Sequence, residues 1–405
     1  MNDPATVDGY QRAFDTLCDK RLAQSMYGEC DILMQDVLLT LHGDDHTVRR
    51  ALEMQLFKRD FIRYYEREVY PITLAATLNP YLIKGKMDLV EFGGRVNINL
   101  SADLAGIDRD PDSADELDML LSISKKFSEG ATLFHSTRNK DEVRLEVEET
   151  LSLFQEKFLT PSWKRREALL SSVEKNPESE LNLPRDVLTV LLANRDKHDL
   201  DDQMIFREVA FFLQAATHSS ANALVHIFNE IYNWSKSDPE NRVKIKNDPF
   251  FLQRCVHEGL RLHPASPVAW RTSTCPFQLL SGKQVENGDS VVVDLQTSNQ
   301  DESIFGSNPK EFNPYREVSG KVPSFGLTFG VGVHTCFGRD LAGGSLPGRS
   351  LDPDKHYFGT LTNLMRSLLS HDIRPDPDNA PIADDTTVRN NWSSYPVLIG
   401  KGESN

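Results

Sequence analysis

The stretch SFGLTFGVGVHTCFGRDLA, residues 324–342, surrounds one cysteine, Cys336, with glycines at 330, 332 and 338. Glycine lets a backbone take positive φ and pass close to a flat, bulky group that a Cβ would obstruct. A cofactor is the natural candidate for such a group. The RDLA that follows Gly338 reads as a helix start, where backbone N–H groups and the helix dipole would lower the Cys336 pKa and favour its thiolate. A thiolate is an iron ligand, and one that can carry haem while pushing electron density toward O–O cleavage. The plainer alternative is a structural cysteine in a Gly-rich turn.

Residues 329–338, FGVGVHTCFG, resemble the haem-binding loop of the cytochrome P-450 family in every fixed position. Six specified residues would coincide by chance on the order of once per hundred thousand chains of this length. The resemblance implies that Cys336 is the axial ligand of haem b, with Gly330 and Gly338 giving the loop its close approach. By the same resemblance Phe329 packs beside the sulfur and His334 reaches a haem propionate.

Working outward from this loop, Asn247-Asp248 followed by Pro249 predicts a helix that Pro264 stops. Glu258 and Arg261 stand three apart on it, an unremarkable spacing by itself. It resembles the family's structural Glu-x-x-Arg pair, which an arginine further on completes, and Arg316 is the candidate for that third member. Arg271, in SPVAWRTST, sits where the family has a second propionate ligand on a strand, with Val268 at the wall of the substrate pocket. Turn signals at 281–282 and 287–288 predict a short hairpin. Ser298-Asn299-Gln300-Asp301 matches the family's Ala-Asn-Arg-Asp element, with Gln300 for its arginine. After Leu341 the family's helix is expected to continue, but the glycines and prolines of GGSLPGRSLDPDKH predict an insertion over about 343–356.

An apolar stripe from Ile205 to Ile231 predicts one long central helix over 203–234, buried all round from 209 to 216. Within it FFLQAATHSSANAL resembles the family's oxygen-binding segment, placing Ala215 and Ala216 over the haem. His218 then stands where the family has an acid, and Ser219 where it has the first threonine. In the family that acid and alcohol hold water and pass two protons to dioxygen, so that the O–O bond breaks with release of water. Ser219 keeps the hydroxyl, and His218 replaces the carboxylate by a group with an ordinary pKa of about 6.5. Three readings stand open: a monooxygenase with a histidine relay, altered chemistry such as peroxide use or oxidative coupling, and a His218 merely bonded into the helix wall.

Toward the N-terminus, GDDHTVRR predicts a helix capped by Asp44 or Asp45, with His46 and Arg50 on one face. Alone this reads as a solvated basic face; beside the haem loop it resembles the family's His-x-x-x-Arg donors to a propionate. Residues 1–45 read as helices with short breaks, including CDILMQDVLLTLHG. Without an early strand pair, two alternatives stand open: a reduced small β region, or a sequence shortened at its N-terminus. The stretch MDLVEFGGRVNINLSADLAGID resembles a family segment between two helices over the distal pocket.

The 405 residues, 39% hydrophobic and 26% charged, describe a globular protein with no apolar run long enough for a membrane span. The opening MNDPATVDGYQ lacks the basic and apolar regions of a signal peptide, so a cytoplasmic protein is expected. Five cysteines without CxxC spacing argue against zinc or iron–sulfur sites. A net charge of −15 argues against nucleic acid as a partner. The resemblance, running from about Gly43 to the end, implies a mainly α (α+β) fold, one triangular helical domain over 1–405 with a small β region. It implies an oxidoreductase that uses O2 on an apolar or aromatic organic molecule, with electrons from a separate ferredoxin and its reductase. The non-enzymatic alternative is a haem-binding sensor or carrier.

Overall fold

The computed structural model describes residues 3–110, 113–176, 183–236, 238–318, 321–346, 352 and 355–400. Helices dominate, and each is started by local chemistry. The Asp248 carboxylate accepts from the Phe251 N–H at 3.0 Å, and Pro249 takes the first position of the helix Pro249–Leu262. Asp201 caps the helix Asp202–Ala215 through the Met204 N–H at 2.7 Å, and Asp88 caps Leu89–Ala105 through Val90 and Glu91.

The central helix is not continuous. It runs Asp202–Ala215 and then Thr217–Ser235, with the interruption at Ala216. The Thr217 hydroxyl donates to the Leu213 carbonyl at 3.2 Å, and the Ser219 hydroxyl to that of Ala215 at 2.9 Å. Side-chain hydroxyls thus enter the backbone ladder where an apolar stripe predicts none, and such insertion bends helices. The two halves bury into different cores. Val209, Phe212 and Leu213 pack with Ile98, Phe127, Phe154 and Leu191, whereas Leu224, Phe228 and Ile231 pack with Phe92, Val256, Leu364 and Val397.

The N-terminal region corrects the expectation of a helical start. Ala5–Val7 pairs parallel with Ser290–Asp294, and Leu22–Gln24 pairs antiparallel with Val268–Ser273. The resulting sheet has four strands, in the order Ala5–Val7, Ser290–Asp294, Val268–Ser273, Leu22–Gln24. The β region is therefore present, built from short strands whose partners lie more than 240 residues away. CDILMQDVLLTLHG forms only the turn of helix Asp31–Met34, because Asp36 takes φ 58° and redirects the chain. The helix Gly43–Glu53 has His42 at its N-cap, with Asp44 and Asp45 inside the first turn. MDLVEFGGRVNINLSADLA is not a connection between helices but a strand, Lys86–Asp88, leading into Leu89–Ala105.

Phe277–Gln278 and Gln284–Val285 form the expected hairpin, with Gly282 at φ 86°. After the loop a five-residue helix, Arg339–Gly343, ends, and Thr360–Ser370 follows. Of the insertion expected over 343–356, residues 347–351, 353 and 354 lie outside those described. Among the described residues no helix is long and apolar enough to cross a membrane.

Candidate active site

The Cys336 N–H donates to the Phe329 carbonyl at 2.9 Å, closing the loop. The Phe329 ring packs edge-on against Phe325 with centroids 5.0 Å apart. Gly332, at φ 74°, lies against the helix Tyr10–Cys18, where a Cβ would stand 2.9 Å from the Leu17 carbonyl oxygen. Gly330 also has positive φ, but the C-terminal glycine of the motif does not: Gly338 sits at φ −76°. The thiol departs from expectation too. Burial pushes its pKa up, against the Gly338 and Arg339 backbone amides and the charges of Arg50 and Arg339, which pull it down. Desolvation of the anion outweighs these donors, so the thiolate is favoured when a cation binds it.

Cys336 keeps accessible surface even though surrounding protein dominates its titration. Ala215, between the buried Gln214 and Thr217, is also exposed. The loop meets the first half of the central helix at Phe337, and the region between them is the candidate site. Phe337 bridges its edge, stacked 6.5 Å from Phe212 and 5.1 Å from Phe57.

Along one side of this region, cationic and donor groups converge. The Arg50 guanidinium donates to the Thr335 carbonyl at 2.7 Å and lies 4.2 Å over the Phe337 ring. The His46 and His334 rings approach to 4.5 Å, and both have a buried Nε2 without a partner. Arg271 is 3% exposed, bonded to the Gln24 side chain at 2.6 Å and to the Trp270 carbonyl at 2.8 Å. Burial pushes its pKa down to about 10. His334 is pushed down to about 3 by burial and by His46, Arg271, Arg50 and His42. Among the described residues no carboxylate forms an ion pair with Arg50 or Arg271. A cluster with so many donors and no anion fits a group that brings its own carboxylates, as the two propionates of haem would. His42, which caps the helix, belongs to this cluster; nothing in its local sequence marked it.

Behind the loop the charges are fully paired. The Arg261 guanidinium meets both Glu258 oxygens at 2.7 Å and donates to the carbonyls of Asn299 and Pro309. Arg316 donates to Glu258 at 3.0 Å and to the carbonyls of Phe305, Ser307, Asn308 and Glu311. Asn299 ties this knot to the loop by accepting the Leu327 N–H at 2.7 Å. The expected third arginine is in place.

On the opposite wall, Asn222 Nδ2 donates to His218 Nε2 at 3.1 Å, and the Asn391 amide stands 3.5 Å from the same nitrogen. Nε2 therefore acts as acceptor and Nδ1 carries the proton, an assignment made from the bonding network. Burial, with Arg389 next, pushes His218 down to about 4. Val268 is half-buried at the start of its strand. Sequence reading gave no role to Asn222, Asn391 or Arg389 here; Asn222 lies one turn beyond His218, and the other two come from a distant segment.

A mainly helical fold with an accessible cysteine, and anion-seeking groups along one edge of the site, is the architecture of a haem-thiolate protein. Residues 244–345 match the cytochrome P450 family model, a segment that holds both the Glu258 helix and the Cys336 loop. Cytochrome P450-terp of a Pseudomonas species is 24% identical over 327 residues, 79% of this chain and 69% of that protein. The biotin biosynthesis cytochrome P450 of Bacillus subtilis is 27% identical over 39% of this chain and 37% of its own. Among solved structures, CalO2 superposes with a TM-score of 0.74 at 18% identity, covering 98% of this chain and 91% of that one. The chain is thus similar to cytochrome P450 proteins in sequence, most directly over residues 244–345, and shares their fold over nearly its whole length.

Proposed function

We propose that Cys336 ligates the iron of haem b, that Arg50, His46, His334 and Arg271 hold its propionates, and that the substrate is an organic molecule with an apolar or aromatic body. The observation that carries this is an accessible Cys336 beside Arg50 and Arg271, neither of which forms an ion pair among the described residues, and beside the unpartnered Nε2 atoms of His46 and His334. Haem held by a thiolate supplies activation of O2 and insertion of one oxygen atom into the substrate.

The chain's own residues position and protonate. Ala215 and Ala216 carry only methyl side chains where the helix is interrupted, so the wall there would leave room for substrate and dioxygen. The Ser219 hydroxyl, anchored on the Ala215 carbonyl, holds water beside that gap. His218 is uncharged at neutral pH, so we infer that it relays by accepting at one ring nitrogen and giving from the other. Phe329, packed on Phe325, steadies the backbone carbonyl that accepts from the Cys336 N–H, and the Glu258–Arg261–Arg316 knot fixes the loop. Electrons come from a separate ferredoxin and reductase.

The ferrous–CO spectrum tests the ligand: the wild-type thiolate band is expected, and Cys336→Ser should abolish it. An unchanged Soret band in that variant would sink the reading. One observation favours peroxide use as a second reading: both contacts on His218 Nε2 come from amides, which narrows its capacity to deliver protons. Turnover with hydrogen peroxide alone, and none with ferredoxin and reductase, would select it.

A further inference from the structure

A second cationic group lies apart from the propionate cluster. Arg389 belongs to the segment before the strand Trp392–Ser394, and this segment is stitched onto residues 132–137. The Thr137 N–H donates to the Thr386 carbonyl at 3.0 Å and the Val388 N–H to that of His135 at 2.9 Å. Arg389 Nη2 then donates to the Thr132 hydroxyl at 3.1 Å and Nε to the Thr387 hydroxyl at 3.3 Å. Among the described residues its Nη1 has no partner and no carboxylate forms an ion pair with it. Asp385, the acid nearest in sequence, forms no ion pair with it, and one oxygen of Asp384 accepts from the N–H and hydroxyl of Thr386.

Asp384 is the carboxylate whose charge reaches Arg389 and His218, and among the described residues it forms no ion pair with either. His135 is 3% exposed and its Nε2 has no partner. The charge of Arg389 acts on His135, on His218 of the central helix and on Tyr27, and Cys336 also acts on Tyr27. Asn391, two residues on, stands 3.5 Å from His218 Nε2, so the Arg389 segment reaches the central helix at the candidate site. Arg389 is not among the charges acting on His334, which are His46, Arg271, Arg50 and His42. Beside His135, Phe134 packs on Trp270 with centroids 4.8 Å apart, and the Trp270 Nε1 is a further buried donor without a partner.

We propose that Arg389, with the buried His135 beside it, binds the carboxylate of the substrate, so that the substrate class is an organic acid whose apolar or aromatic body lies along Phe134 and Trp270. A half-buried guanidinium without an anion is costly, and a substrate carboxylate offsets that cost through a charge-assisted pair. The inference rests on the haem-thiolate reading for the location of the chemistry. It makes Arg389 a specificity-determining residue for the same site.

The test uses the haem-loaded protein and two probe pairs, 4-phenylbutyrate and octanoate, each against its amide. Binding is read from the low-spin to high-spin shift and, on the same samples, from the rise in melting temperature. In the wild type the acids are expected to bind at least about tenfold tighter than their amides. Arg389→Gln should erase that preference without weakening amide binding, and Arg389→Lys should keep part of it. Equal affinity for acid and amide in the wild type, or a preference that survives Arg389→Gln, would overturn the proposal. Haem loss or an altered ferrous–CO spectrum in Arg389→Gln would also overturn it, since the carboxylate held would then be a haem propionate. A wild-type protein without the thiolate band would defeat the haem-thiolate reading instead. The acid-dependent melting shift would still decide the role of Arg389.

Discussion

The two walls of the candidate site are built on opposite electrostatic plans. Behind Cys336, Glu258, Arg261 and Arg316 satisfy one another and several backbone carbonyls, and the buried Arg261 guanidinium keeps full hydrogen bonding. Around the site itself, His46, His334, His135 and Trp270 each keep a buried nitrogen without a partner. A saturated network is rigid and recognises nothing further; an unsaturated one is costly until a ligand arrives. The first plan suits a support and the second a binding surface.

The comparison breaks most completely at the sulfur. Cys336→Ser is expected to remove the thiolate band of the ferrous–CO adduct entirely. Next in size is the support: Glu258→Gln leaves two buried arginines short of an anion, which costs about 3–5 kcal/mol. Chemical denaturation should show that loss, with haem released at the same midpoint; a change below about 1 kcal/mol would mean that the knot is not part of the support. On the unsaturated side, Arg271→Gln should leave stability without haem nearly intact while speeding haem transfer to an acceptor protein about 10- to 100-fold. Equal effects of the two substitutions on the haem-free protein would erase the distinction between the walls.

A smaller, graded effect is expected from pH. His135, His218, His226 and His257 are each pushed down to about 4, chiefly by burial. In the unfolded chain they take up protons from about pH 6.5 downward. Unfolding therefore gains protons in this window, and stability should be full above about pH 6.5 and fall as pH drops toward 4. Melting temperatures measured from pH 8 to 4.5 check this, and His257→Gln should flatten the slope. The smallest effect belongs to His218→Phe: slower turnover, or O2 consumed without product, at unchanged haem content. An unaltered coupling ratio would leave His218 a wall residue held by Asn222 and Asn391.

What the sequence made legible follows from how local each signal is. The Cys336 loop, Glu258 with Arg261, and His46 with Arg50 each lie within one turn or loop, and the structure brings their members together. Arg316 and Arg271 were legible through spacing to those motifs. The strands Ala5–Val7 and Leu22–Gln24 were not, because three residues carry no alternation and their partners lie at 268–294. The break at Ala216 was hidden for a different reason. Apolar periodicity records which face is buried, not whether Thr217 and Ser219 turn their hydroxyls onto the helix's own carbonyls. His42, Tyr27 and Arg389 carry no motif at all, and only folding brings them to the site.

The chain after the short helix Arg339–Gly343 leaves and returns at one point, since the Ser345 N–H bonds to the Tyr357 carbonyl at 2.9 Å. Gln253 clamps both sides of that closure, donating to the carbonyls of Gly343, Ser345 and Phe358, while Glu66 accepts the N–H groups of Phe358 and Gly359. A loop closed in this way changes length cheaply, by about 0.6 kcal/mol for each doubling. The closure is therefore a clasp in which His356 takes part, bonded to Gln253 Oε1 at 2.8 Å and to the Ser345 hydroxyl at 3.1 Å, so that a change of chain length ahead of His356 leaves the register of the cysteine loop in place.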